Sequence, residues 1–166
     1  MKFRNLIIYS ILIAGVLLIG LYFIYTSTSK STVSVASYNS EDKERPVVKI
    51  EKGLYDFGSI KVSDKKSNDF IIENVGSKPL QLSNITTSCG CTFAKVIYEG
   101  KESPEFDMHS KSTYIAEIEP NKTAIIRITY KPYVMPVYGF VEREAYIKTN
   151  DPLMQDIVFK VTANVN

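Results

Sequence analysis

Tryptophan is absent from this 166-residue chain, histidine occurs once and cysteine twice. Each scarcity narrows the chemistry. A single histidine leaves only His109 to serve a nucleophile–base pair. No serine stands in a nucleophile-elbow context, and no glycine-rich phosphate cradle appears. The carboxylates are scattered. Without tryptophan, and with two cysteines too close together to bridge two sheets, the antibody hallmarks are missing. A surplus of positive charge is lacking too. Residues 47–166 hold 15 Lys plus Arg against 15 Asp plus Glu, and the whole-chain excess of +2 comes from the first 45 residues. That balance gives no basic footprint for nucleic acid. No amphipathic helical window follows residue 30, and no βαβ pattern offers a thioredoxin-like scaffold for thiol catalysis.

What the chain does have begins at its N-terminus. Residues 6–25 form a run in which only Ser10 is clearly polar and none is charged. About 20 such residues, at 1.5 Å rise, cross the ~30 Å core of a bilayer. Lys2 and Arg4 precede the run, so the positive-inside bias predicts a cytoplasmic N-terminus and export of the rest. A cleavable signal peptide needs a shorter apolar region and a nearby small-residue site. Ser34-Val35-Ala36 lies too far downstream for that. The expectation is a stub and transmembrane helix over 1–25. Residues 26–46, rich in Ser, Thr and charge, then read as a flexible linker, and 47–166 as one domain.

Within 47–166 the apolar pattern has a period of two. Ile157, Phe159, Val161, Ala163 and Val165 alternate with Val158, Lys160, Thr162 and Asn164. Ile126, Ile128 and Tyr130 alternate with Arg127 and Thr129. These are half-buried strands. Shorter strands are expected around 70–72, 80–82, 92–96 and 145–147. Turn signals at 74–79, 119–122 and 150–152 separate them. The fold class that follows is all-β, an immunoglobulin-like antiparallel β-sandwich preceded by one N-terminal transmembrane helix.

The two cysteines stand in Ser88-Cys89-Gly90-Cys91-Thr92, with one glycine between them. A glycine at φ > 0 would fold the backbone tightly enough to aim both sulfurs one way. Such a pair can be a disulfide, a two-thiolate clamp on a soft metal, or two small buried residues. For a metal, Cys89, Cys91, Met108 and His109 form a soft set suited to Cu(I) or Zn(II). For thiol exchange, Lys95 or His109 are candidate stabilisers of a thiolate. Met108 and His109 lie on a polar stretch, 98–116, with no strand period, the kind of long loop that is functional or disordered. Phe106 and Met108 could equally pin it to the core. A further apolar and aromatic cluster, residues 133–140, supplies Tyr133, Met135, Tyr138 and Phe140 as interaction candidates.

Tyr55-Asp56-Phe57-Gly58-Ser59-Ile60, Phe70-Ile71-Ile72-Glu73-Asn74-Val75-Gly76, Pro79-Leu80-Gln81-Leu82, Ser88-Cys89-Gly90-Cys91-Thr92 and Thr149-Asn150-Asp151-Pro152 occur in a characteristic order. That series resembles the DUF1573 family of exported bacterial proteins, common in Bacteroidetes, over about residues 50–165. The resemblance implies an immunoglobulin-like sandwich, related in architecture to domains of pilus chaperones and ciliary proteins. It implies no agreed activity. The residues therefore point to a non-catalytic, membrane-anchored periplasmic domain of the inner membrane, without a cofactor, that contacts an envelope protein. The alternative is a soft-metal (copper or zinc) or thiol-redox protein.

Overall fold

The computed structural model describes residues 12–20, 22 and 34–166. Residues 12–20 and 22 are helical, and the remainder of the 6–25 run lies outside the described residues. Among the described residues no helix is long and apolar enough to cross a membrane. The chain divides into two compact units, Met1–Ser34 and Val35–Asn166.

The second unit is a two-layer β-sandwich. Its strands are β1 (Val48–Ile50), β2 (Leu54–Ile60), β3 (Lys66–Asn74), β4 (Leu80–Thr87), β5 (Thr92–Tyr98), β6 (Lys101–Glu102), β7 (Ala116–Ile118), β8 (Thr123–Tyr130), β9 (Gly139–Thr149) and β10 (Asp156–Val165). One sheet has the order β1-β3-β8-β5-β6, the other β2-β10-β9-β4-β7. The alternating residues behave as their period predicts. Ile126, Ile128, Ile157, Phe159 and Val161 are buried, and Phe159 stacks on Phe70 at 4.8 Å between ring centres.

The sheets are not wholly antiparallel, which corrects the expectation. β2 runs parallel to β10, with Leu54 opposite Lys160 and Ile60 opposite Val165. The cause is a change of sheet. β1 lies antiparallel to β3, and after Gly53 the chain joins the opposite sheet beside the last strand of the domain. A parallel pair needs a long connection, and here the connection is nearly the whole domain.

Two other boundaries move. The unit starts at Val35, inside the segment expected as a linker. The Ala36 amide donates to Gln81 Oε1 at 2.7 Å, Arg45 pairs with Asp151 at 3.2 Å, and Pro46 is buried. The polar 98–116 stretch is tied down as well. Glu99 (φ 49) and Gly100 (φ 75) make a two-residue hairpin turn with both central φ positive, the type I′ form that matches strand twist. Phe106 then exchanges two 2.8 Å backbone hydrogen bonds with Ala94 and buries its ring. The pinning role is therefore carried by Phe106 and not by Met108, which is exposed.

Candidate functional site

The chain's two sulfur-bearing turn residues sit at one end of the sandwich, between β4 and β5. Cys89 and Cys91 are joined as a disulfide with Cα atoms 5.3 Å apart, inside the usual window of roughly 4.4–6.8 Å. Thr92 N–H donates to Cys89 O at 3.2 Å, closing the turn. The Thr87 hydroxyl donates to Cys89 O at 2.9 Å and Thr92 O at 2.8 Å. Ser88 is held to β9 by its N–H to Glu144 O and by the Glu144 N–H to its hydroxyl, both 2.9 Å. Cys91 is fully buried in a small cluster with Ile60, Tyr130, Val141, Ala163 and Val165, whereas Cys89 is half-buried. In that region Tyr130 Oη and Arg143 Nε are buried without a hydrogen-bond partner among the described residues.

Gly90 is not in the left-handed region; the glycines with positive φ are Gly58, Gly100 and Gly139. Its importance is spatial. A Cβ at Gly90 would lie 3.9 Å from Met108 Sδ and 3.9 Å from Met135 Sδ. Two thioethers from separate connections thus flank the Cys-Gly-Cys turn. Met135 reaches it because Lys131 N–H donates to Cys91 O at 2.9 Å and Pro132–Val134 then form a 3-10 turn. Gly139, at φ 87, releases the chain into β9.

The three segments singled out in the sequence therefore meet: the cysteine turn, the 98–116 stretch through Met108, and the 133–140 segment. The last is an exposed apolar arm, with Tyr133 50%, Met135 50%, Tyr138 67% and Phe140 74% exposed. The proposed metal set does not assemble as expected. Both cysteine sulfurs are used by the disulfide, and His109 stands exposed on the turn from Asp107 to Ser110. Among the described residues no three of His, Cys, Asp and Glu gather where a metal ion could sit. Asp107 Oδ1 accepts from His109 N–H at 2.9 Å and from the Ser110 hydroxyl at 3.0 Å. Burial works to raise its pKa, but those donors outweigh it and hold the carboxyl below its ordinary value.

Lys95, expected as a thiolate stabiliser, is bound to Glu102 at 2.8 Å. The groups at the sulfur are instead Cys91 N–H, which donates to Cys89 Sγ at 3.2 Å, and Thr92 Oγ1 at 3.4 Å. Met135 was legible only as an apolar residue, since nothing in its spacing from Cys89 signals contact. A concavity of about 510 Å³ on the first sheet is lined by Phe93, Lys95, Arg127 and Asp69 among others. Its Arg127 is held by Asp69 at 2.7 Å and its Lys95 by Glu102.

The opposite end of the sandwich is a staple. Asp151, buried, takes Arg45 Nη1 at 3.2 Å, Val48 N–H at 2.9 Å and Leu153 N–H at 3.0 Å. Asn150 Oδ1 accepts from Gln81 N–H at 2.8 Å. Asn74, also buried, donates to Lys78 O and Ile118 O and accepts from Gly76 N–H. The Asn74–Gly76 and Thr149–Pro152 motifs are thus explained by closure of the fold.

A protein of unknown function from Porphyromonas gingivalis is similar in structure, with TM-score 0.57 and 22% identity over 74% of this chain. The chain spans about half of that protein, 48% of its length. A family 123 glycoside hydrolase from Clostridium perfringens matches at TM-score 0.50 and 12% identity, over 68% of this chain and 22% of the enzyme. PapD-like domain 7 of human CEP192 matches at TM-score 0.46 and 13% identity, over 81% of this chain and 96% of the domain. For the first two, the likeness at these identities is one of fold. No curated protein matches the chain. Residues 48–105, from β1 through the cysteine turn to Glu105, match the family described as "Protein of unknown function (DUF1573)".

Proposed function

We propose that this protein is a non-catalytic interaction module. The run over residues 6–25 holds it in the inner membrane of a bacterial envelope, and the sandwich faces the periplasm. The observation that carries the reading is the apolar arm at the cysteine end. Tyr133, Met135, Tyr138 and Phe140 are each at least half exposed in one short connection. Contiguous exposed apolar groups rimmed by polar ones mark contact surfaces, and sandwiches of this class bind through end loops and edge strands. Rigidity supports it further. The disulfide, the Thr87 hydrogen bonds and the Phe106 bridge fix the platform from which the arm projects, which lowers the ordering cost of association. The anchor is supported by the uncharged run and the Lys2/Arg4 bias.

The test is purification of the full chain from detergent-extracted membranes, beside a Tyr138→Asp/Phe140→Asp variant. The wild type should co-elute with a stoichiometric envelope protein and resist alkaline extraction from membranes. The variant should melt at the same temperature and elute alone. Identical co-eluting species for both would remove the arm from the interface, and release of the wild type by alkali would remove the anchor.

A further inference from the structure

The geometry points to a Cu(I) site made of the Cys89 thiolate and the thioethers of Met108 and Met135, available when the Cys89–Cys91 disulfide is reduced. This goes beyond the interaction reading and does not rest on it. Both Met Sδ atoms lie 3.9 Å from the position a Cβ would take on Gly90, so they are separated by no more than twice that distance. A Cβ at residue 90 would stand in contact with both sulfurs. Glycine leaves that space open. Both methionines are about half exposed, so an ion can reach them. Methionine turns about three side-chain bonds, enough to bring two sulfurs to metal–sulfur lengths of about 2.3 Å, the value for a zinc thiolate.

The third donor follows from burial. Cys91 is fully buried among apolar groups, out of reach of an ion from solvent. Cys89 is half-buried, and its sulfur already faces Cys91 N–H at 3.2 Å and the Thr92 hydroxyl at 3.4 Å. Of the two sulfurs, the one on half-buried Cys89 is therefore the one an ion can reach. Thiolate with two thioethers is a soft set that selects Cu(I), while Mg(II), Ca(II) and Mn(II) require oxygen ligands. His109 is not needed, which departs from the set expected from the sequence.

The steps balance. A dithiol reductant supplies two electrons and two protons and becomes a disulfide, and Cys89 and Cys91 each become a thiol. Cu(I) then displaces the Cys89 proton to solvent without change in oxidation state, so affinity falls as pH falls.

The experiment is an anaerobic titration of the full-length chain in detergent, with Cu(I) supplied in competition with a coloured copper(I) chelator. Reduced wild type should take up one Cu(I), with sulfur-only coordination by X-ray absorption. A Met108→Leu/Met135→Leu double variant keeps volume and should keep its melting temperature. Its affinity, and that of Cys89→Ser, should fall by roughly tenfold or more as soft donors are lost. The oxidised chain should weaken likewise. Equal affinity in the double-Leu variant, equal affinity before and after reduction, or nitrogen and oxygen coordination would each overturn the site. Copper binding in a chain that brings down no envelope protein would leave this site standing and the interaction reading refuted.

Discussion

Asp151 shows how much one side chain can hold in this fold. Its buried carboxylate collects Arg45, the first amide of β1 and the Leu153 amide, tying the entry segment to the β9–β10 connection. Asp151→Ala leaves a largely buried guanidinium with only the Pro46 carbonyl at 3.4 Å, and the buried Val48 N–H without its acceptor. Breaking such a pair costs about 3–5 kcal/mol, read as a fall in the denaturant midpoint. An unchanged midpoint would mean the ion pair is dispensable. Gly76 is constrained from the other side. A Cβ there collides with the backbone of Arg45, Pro46 and Val47, so Gly76→Ala should destabilise by about 1–3 kcal/mol, the usual cost of overpacking. Single residues were unevenly legible in the sequence. The cysteine pair announced itself by spacing, whereas Met135 gave no sign that it meets the pair. That contact depends on how the β8–β9 connection folds across the end of the sandwich. Adjacency misled at His109, which shares the Asp107–Ser110 turn with Met108 yet is not among the groups that flank Gly90.

Long strands that bury one face against the core were readable, whereas the short β1, β6 and β7 and the exposed edge strand β2 were missed. β8 and β10 carry the period of two because water lies on one side only. β2 is an edge strand exposed over most of its length, so selection for a buried face left no alternation in it. β4 is interrupted by Asn84 at φ 47 and a register shift between Ser83 and Thr86, which breaks the pattern midway. The parallel pairing of β2 with β10 joins distant parts of the chain, and no local signal encodes it. Phe159 tests the assigned faces. It is fully buried against Phe70, so Phe159→Ala should cost about 3–5 kcal/mol. A loss below 1 kcal/mol would place that ring outside the packed core.

The domain as a unit should lose stability in acid. The Arg127 hydrogen bonds lead in holding Asp69 below its usual carboxylate range, and the Lys95 and Tyr146 hydrogen bonds lead for Glu102 and Glu144. A carboxylate depressed in the folded state stabilises above its unfolded pKa, and that contribution disappears as pH falls through the folded value. Stability from these groups should therefore be level above about pH 5 and decline below about pH 4. Arg127→Met should flatten the decline, and a rise in midpoint on acidification would contradict the sign. The same molecule has two unlike ends, a polar staple around Asn74, Asn150 and Asp151 and an apolar, sulfur-bearing platform around Cys89 and Tyr138. The most direct test of which end works is site-specific photocrosslinking in cells making the full chain. A photoreactive phenylalanine analogue is placed at Tyr138 and, at the opposite end, at the equally exposed Leu153. Position 138 should give one discrete crosslinked envelope protein and position 153 none; a crosslink at 153 alone, or the same pattern at both, would contradict the assignment of the cysteine end as the contact surface.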